Sequence, residues 1–351
     1  MKDINGKTYK AIITHSDYKG GSKLSYMMDL NKKWLRILGI ETLAKYNEAI
    51  IGGRASEIKM LSEMLHEKRL GYIADSISAS HMTKRVVLIA GPSSSGKTTF
   101  ARRLVTHLRM FGIMTEMISM DNYFYDRDKT PVDEFGKHNL EAVEAIDLDL
   151  LNSNILSLLE GREVDQPVFG FISGKREPAG VKTKIGSETV IIIEGIHGLD
   201  PKLTHSVPDE MKFKIYISAI GAMLLENGQR ITSSDTRFIR RLTRDYKYRG
   251  IEAATTISRW QSVRRGEERY IFPFQETGDV LFDSSLPYEL SLLKSYTRAV
   301  LLKVTSDLPE YSEASRLINL LNRFETVDKD FIPAYSLIRE FIGGSYYEAE
   351  I

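Results

Sequence analysis

The chain has 351 residues, with 48 Lys and Arg against 47 Asp and Glu, a formal charge of +1. That balance supplies no field to draw in nucleic acid or an anionic membrane, and 42% hydrophobic with 27% charged residues excludes a disordered or fibrous chain. Cysteine is absent, which rules out disulfides, thiolate metal sites and cysteine nucleophiles. No apolar run approaches the roughly 20 residues that cross a bilayer, and MKDINGKTYK at the start lacks the apolar centre of a signal peptide. A cytoplasmic protein is expected.

Residues 1–83 read as a mostly helical region. Tyr18-Lys19-Gly20-Gly21-Ser22 is expected to be a loop, followed by a short helix with Trp34, Leu35, Ile37 and Leu38 along one side. Ile58, Leu61, Met64 and Leu65 recur at helical spacing, and Ile73 and Ile77 continue an apolar side. From Arg85 the character changes. Val86-Val87-Leu88-Ile89-Ala90 is wholly apolar, as expected of a strand covered on both faces. After a glycine-bounded turn, Ala101, Leu104, Val105 and Leu108 share one face of a helix that Gly112 stops. Residues 117–120, 190–193, 213–217 and 280–282 read as further buried strands. Strands alternating with helices imply an α/β domain over residues 84–293, a parallel sheet with helices on both faces. Residues 294–351 read as a helical extension. It is marked by Leu290, Leu293 and residues 299–302, then by Ala314, Leu317, Leu320 and Leu321, then by a last helix over 335–342 closed by Gly343-Gly344.

Gly91-Pro92-Ser93-Ser94-Ser95-Gly96-Lys97-Thr98 satisfies G-x-x-x-x-G-K-[ST], with Thr99 behind it. Glycines let successive backbone N–H groups converge on phosphate oxygens, and the following helix presents its positive end to the same anion. Lys97 is placed to reach the β- and γ-phosphates and the Thr98 hydroxyl to ligate Mg²⁺. A chance glycine-serine turn is the bland alternative; the strand before and the amphipathic helix after count against it. Glu194 ends the apolar run 190–193, where a carboxylate at the carboxyl edge of the sheet suits Mg²⁺ held through water. Guanine-specific switches need Asn-Lys-x-Asp after the cradle, whereas Asn31-Lys32 precedes it, and Asp133-Glu134-Phe135-Gly136 sits in a polar loop. Asp121 directly follows the strand at 117–120 and is placed to accept the proton of an attacking hydroxyl. Its bland alternative is a loop acid bonded to local N–H groups. Arg237, Arg240, Arg241 and Arg244 fall on one helical face within a segment, 230–269, holding eleven basic and five acidic residues. A lid closing over phosphates accounts for such a cluster, and pairing to Asp235 or Asp245 is the alternative for one or two of its members.

Taken together, GPSSSGKTT, SMDNYF, DQPVFGF, IIIEGIHGL and DTRFIRRLTRDYKYRG, in this order over roughly 84–293, resemble the P-loop uridine kinase and phosphoribulokinase family. Phe272-Pro273-Phe274-Gln275 and the C-terminal extension resemble a bacterial uridine kinase subfamily whose N-terminal region is similar to part of threonyl-tRNA synthetase. Residues 31–80 look like the end of that attachment, with its preceding portion expected to be missing and no His-x-x-x-His pair present. The resemblance implies a P-loop NTPase-type sheet and ATP-dependent phosphorylation of the 5′-hydroxyl of a pyrimidine nucleoside, with Mg²⁺; GTP in place of ATP stays open. It matches Asp121 to the catalytic base, Thr98 and Glu194 to magnesium positions, Glu141 to an aspartate contacting ribose hydroxyls, and Arg241, Arg244 and Arg249 to lid arginines. Tyr123, Phe169 and Arg176 complete the expected substrate contacts. Three departures bear on the acceptor: Phe169 stands for a base-contacting tyrosine, Gly174 for a histidine and Arg259 for a lid glutamine. A kinase for another small hydroxyl substrate, such as a sugar phosphate or a pantothenate-like acid, is therefore the second reading. A catalytically weak nucleotide-sensing or RNA-associated module is the third, which the near-zero charge does not favour. The partners expected are a small-molecule acceptor and no membrane or nucleic acid, with a homo-oligomer left open.

Overall fold

The computed structural model describes residues 18–132, 138–139, 141–170 and 173–347; positions 133–136, 140 and 171, which fall in segments read above, lie outside the described residues. In chain order, α1 (Lys23–Leu38), α2 (Leu43–Ile51) and α3 (Ala55–Ser78) precede β1 (Val86–Ala90), α4 (Lys97–Met110) and β2 (Thr115–Ser119). After α5 (Leu148–Leu159) come two short antiparallel pairs: β3 (Val164–Gln166) with β6 (Val181–Thr183), and β4 (Phe169–Gly170) with β5 (Lys175–Arg176). Then follow β7 (Val190–Gly195), β8 (Lys212–Ser218), α6 (Ser233–Arg249), α7 (Ala253–Tyr270), β9 (Val280–Asp283), α8 (Glu289–Leu301), α9 (Tyr311–Asn322) and α10 (Arg339–Ile342).

The main sheet is parallel throughout and runs β2-β7-β1-β8-β9. Because successive strand side chains point to opposite faces, β1 sends Val87 and Ile89 into one core and Val86, Leu88 and Ala90 into the other. Ile192 and Ile191 of β7 divide in the same way. Phe100, Leu104 and Leu108 of α4 cover the first face, and Leu151, Ile155 and Leu158 of α5 the second. The uniformly apolar strands thus lie in a sheet buried on both sides. Local signals set the helix ends: the Ser22 hydroxyl accepts from Ser25 N at the start of α1, and Gly39 closes it in the left-handed conformation (φ 68°).

The first core takes in Leu35 of α1, Ile58 of α3, the sheet, and Leu317, Leu337 and Phe341 near the C-terminus, so the flanking helices pack into the core of the α/β segment. α3 departs from the expected stripe. Ile58, Ile73 and Ile77 are buried, but Met64 is 58% exposed, and the helix turns inward instead a neighbouring face that carries Lys59, Glu63, His66 and Arg69. Distant groups satisfy these polar atoms: Lys59 Nζ meets Asp328 Oδ1 at 2.8 Å, and Glu63 Oε1 accepts from Tyr288 Oη and Ser336 Oγ. The last helix is shorter than the pattern suggests, Arg339–Ile342, because the Ser336 hydroxyl accepts from Ile338 N and holds a turn there. Among the described residues no helix is long and apolar enough to cross a membrane.

Candidate active site

Strand register alone assembles the site. Ile89 and Ala90 of β1 lie opposite Glu194 and Gly195 of β7, and Ser119 of β2 lies on the other side of Glu194. The cradle leaving β1, the carboxylate ending β7 and Asp121, two residues past Ser119 in a 3-10 turn (Met120–Tyr123), therefore emerge side by side at one edge. With strands about 4.8 Å apart, β1 and β2 lie about 10 Å apart across β7.

The cradle itself is strained as an anion nest requires. Ser94 takes a left-handed backbone (φ 58°) unusual for a side chain with Cβ, and Gly96 does the same (φ 87°). A Cβ on Gly91 would fall 2.0 Å from Ile217 O, so no other residue fits between the cradle and β8. The first turn of α4 carries no acidic residue and no side-chain cap, leaving its N–H groups for an anion. Ser94 and Ser95 are buried, and neither hydroxyl has a hydrogen-bond partner among the described residues. Thr99 does not reach that space. It is buried, and its hydroxyl donates to Glu340 Oε2 (2.8 Å) beneath the loop, so its expected nucleotide contact is corrected to a support role.

Lys97 Nζ donates to Pro92 O (3.3 Å), folded along the loop. Burial lowers its pKa, against the opposing pull of Glu194, Asp121 and Glu340. The Thr98 hydroxyl donates to Glu194 Oε1 at 3.2 Å. Burial raises the Asp121 pKa, while the charges of Lys97, Arg249 and Arg244 pull it down. Glu141 is packed against Gly266 of α7, and its backbone N donates to Asn139 Oδ1.

Burial raises the Glu141 and Glu194 pKa values to about 7 each. Because the folded values lie above the unfolded value of 4.5, the stability these groups contribute is full below pH 4.5 and is lost as pH rises through about 7. The thermal midpoint of the unliganded protein should therefore fall between pH 5 and pH 8, and Glu141→Gln, which cannot ionise, should show a shallower fall. Equal slopes for the two proteins in a scanning experiment would contradict this.

The arginine face divides in two. Arg237 and Arg240 are almost fully buried. Arg237 grips both oxygens of Glu267 and donates to Ser93 O (3.1 Å). Arg240 donates to Glu289 Oε2 (2.6 Å) and to Ser94 O, Ser95 O and Ser284 O. Both are struts fixing α6 to the cradle backbone, and their expected place in a phosphate-covering lid is corrected. Arg241, Arg244 and Arg249 instead gather on the single buried carboxylate of Asp245 (3.2, 3.3 and 3.2 Å), leaving surplus positive charge around one acid. Arg241 Nη1 also donates to the Ser93 hydroxyl (2.9 Å). The Arg249 pKa falls to about 10, first through the neighbouring Arg244 charge and then through burial. An anion relieves this crowding.

Two expected substrate contacts are scaffold. Tyr123 is buried and its hydroxyl accepts from Asn154 Nδ2 (3.1 Å). Arg176 donates to Tyr123 O (2.9 Å), Phe124 O (3.0 Å) and Asp147 Oδ2 (3.0 Å), which occupies all three guanidinium nitrogens behind the Asp121 turn. Phe169 is buried against Phe124, and its N donates to Asn122 Oδ1 (3.2 Å). Gly174 takes a left-handed backbone (φ 68°), and a Cβ there would lie 2.5 Å from Arg127 Cδ, so a histidine would be strained and would have to displace the Arg127 side chain. Arg259 points to solvent. Reading the sequence alone missed Glu267 and Glu289, the carboxylates that neutralise the two struts, and His197, buried three residues past Glu194. Only the position of His197 on the turn after β7 signalled it.

No cluster of three or more His, Cys, Asp or Glu among the described residues is arranged to hold a metal. The Thr98 hydroxyl and Glu194 carboxylate are hard oxygen donors in contact, the sparse protein set that Mg²⁺ takes when substrate phosphates complete its shell.

A parallel β2-β7-β1-β8-β9 sheet with an anion nest after β1, a carboxylate just past β2 and an arginine-rich helix after β8 defines a P-loop phosphotransferase. The family model described as "Phosphoribulokinase / Uridine kinase family" matches residues 86–289, and the chain belongs to that family. It is similar to uridine kinases of Staphylococcus aureus: those of strains JH9 and Newman are each 32% identical over 197 residues, 56% of this chain and 86% of theirs. Among solved structures, a possible uridine kinase from Bacillus stearothermophilus aligns at 22% identity and TM-score 0.39, over 62% of this chain and 98% of its own. A candidate fructose transport system kinase from Silicibacter sp. TM1040 aligns at 19% identity and TM-score 0.44, over 61% and 98%.

Proposed function

We propose that this kinase transfers the γ-phosphoryl group of ATP to the 5′-hydroxyl of a pyrimidine nucleoside, uridine or cytidine. The acceptor oxygen bonds to the γ-phosphorus, the bond from that phosphorus to the β–γ bridging oxygen breaks, ADP leaves, and the hydroxyl proton passes to Asp121. Lys97 and the Asp245-bound arginines offset charge on the transferring group, and Glu141 holds the acceptor. Thr98 and Glu194 would hold Mg²⁺, which when bound neutralises phosphate charge. The observation that carries this reading is the register placing Asp121 and the cradle on either side of Glu194 at one sheet edge.

One observation favours a second reading, a kinase for another small hydroxyl compound. The hairpin expected to read the base offers a buried phenylalanine, a glycine in a left-handed backbone, and an arginine held by three hydrogen bonds to Tyr123 O, Phe124 O and Asp147. A site without polar groups facing the base discriminates poorly. An ADP-release assay with ATP across uridine, cytidine, ribulose 5-phosphate and pantothenate separates the two. Turnover led by the nucleosides supports the first reading, and turnover confined to another acceptor supports the second.

A further inference from the structure

A cavity of about 310 Å³ lies between α1, the end of β8 and the start of α6. Among the described residues, its wall includes none of the cradle, 91–98, and none of Asp121, Glu141 and Glu194. The wall carries three guanidinium groups, those of Arg230, Arg237 and Arg264, and no carboxylate. Glu267 answers two of them, pairing with Arg237 and with Arg264 Nη1 (2.9 Å), and Arg264 Nη2 also meets the exposed Glu268 (3.1 Å). Arg230 differs. It is half-buried, its side chain makes no hydrogen bond or ion pair among the described residues, and its Nη1 is closed off from water without a partner. A guanidinium has five N–H donors and cannot lose its charge, so one left unpaired and partly dry calls for an anion.

The start of α6 adds to this call. Thr232 caps the 17-residue helix by accepting from Asp235 N (3.0 Å), and Ser233 and Ser234, which line the cavity, have N–H groups without an acceptor inside the helix. The acids nearby are held elsewhere. Asp235 accepts from Thr232 Oγ1 (2.9 Å) and Arg316 Nη2 (2.6 Å), and Glu276 accepts from Ser22 Oγ and Lys23 N (2.8 Å each). Lys23 Nζ in turn donates to Glu276 O (3.2 Å). Apolar groups complete the wall: Leu24 and Met28 of α1, with Tyr216, Ile220 and Phe272. One surplus cation beside an apolar surface favours an anion that carries an apolar body.

We infer that this cavity is a second anion site, which binds a small organic phosphate with the phosphate at Arg230 and the start of α6 and the apolar ring against Met28, Tyr216 and Phe272. Free phosphate would leave the apolar part of the wall in water, and an uncharged ring would leave Arg230 unpaired. The Arg237 side chain, which also donates to Ser93 O (3.1 Å), stands between the cavity and the cradle, so the two sites can be filled at once.

The test is titration calorimetry with phenyl phosphate, and with inorganic phosphate beside it, on the unsubstituted protein and on Lys97→Ala, which weakens the cradle. Lys97→Ala should keep one binding event for phenyl phosphate. Adding Arg230→Gln to it should raise the Kd of that event about 10- to 100-fold, the effect of losing hydrogen bonds from a charged group. Adding Ser234→Asp instead should also raise it, because a carboxylate at the start of α6 repels the anion. Inorganic phosphate, which has no ring to bury, should bind about 10-fold more weakly than phenyl phosphate. Without added phosphate, Arg230→Gln alone should unfold at the same temperature as the unsubstituted protein or higher, since it breaks no bond. Ser234→Asp should do likewise, since an acid suits the first turn of a helix. Loss of all binding in Lys97→Ala, a Kd unmoved by Arg230→Gln, or equal affinity for the two phosphates would each overturn the inference. So would weaker binding in company with a lowered thermal midpoint in both variants. None of these results touches the kinase reading, which rests on turnover.

Discussion

Asp121→Asn should lower kcat about 10²- to 10⁴-fold, the range general-base catalysis contributes, while ATP still binds with a Kd within a few-fold of that of the unsubstituted protein. Asparagine keeps the size and hydrogen-bonding reach of the side chain but cannot take the proton of the attacking hydroxyl. Asp121 lies one strand beyond Glu194, outside the loop that holds the triphosphate, so the nucleotide site should survive. The pH–rate profile sharpens the test. Burial raises the Asp121 pKa and the nearby Lys97, Arg249 and Arg244 charges pull it down, so the acid limb of the unsubstituted enzyme should lie above the ordinary aspartate range. In Asp121→Asn that limb should vanish along with the rate. Full activity of the variant, or an unchanged acid limb, would remove Asp121 from the base role.

What the sequence disclosed follows from which features are local. The cradle, Glu194 and Asp121 were legible because each closes or follows a short strand, apolar in β1 and β7 and half-exposed in the edge strand β2, and a parallel sheet brings the carboxyl ends of its strands to one edge whatever the loops do. Helical spacing placed four arginines on one face, but no periodicity tells which element that face meets. Arg237 and Arg240 find their carboxylates 30 and 49 residues onward, and only the tertiary fold separates these struts from Arg241 and Arg244. The polar face of α3 was invisible for the same reason, since Lys59 and Glu63 are matched by groups more than 220 residues away. Tyr123 sits two residues from Asp121 in the motif, yet the 3-10 turn directs it inward, where Asn154 meets its hydroxyl. Proximity along the chain was a poor guide there, and strand register a good one.

Arg240→Met should destabilise the protein by about 3–5 kcal/mol, the range for leaving one partner of a buried ion pair without the other. Arg240 is fully buried, its guanidinium stacks over Phe341 (5.2 Å to the ring centre), and Glu289 beside it is 3% exposed. Burial already raises the Glu289 pKa against the pull of Arg240. Without the arginine that carboxylate must either stay charged in the core or take up a proton. The folded pKa then lies further above the unfolded one, so the variant should be least impaired in acid and lose ground as pH rises. Urea titrations at pH 5 and pH 8 should show a larger deficit at pH 8. Adding Glu289→Leu removes the stranded charge and should restore most of the lost stability, because an apolar pair of similar volume can replace a buried ion pair. The KM for ATP should nonetheless stay raised in the double variant, since Ser94 O and Ser95 O lose the donor that fixes the cradle from behind. Stability recovered together with a normal KM for ATP would mean that Arg240 holds the core alone and has no part in shaping the phosphate nest.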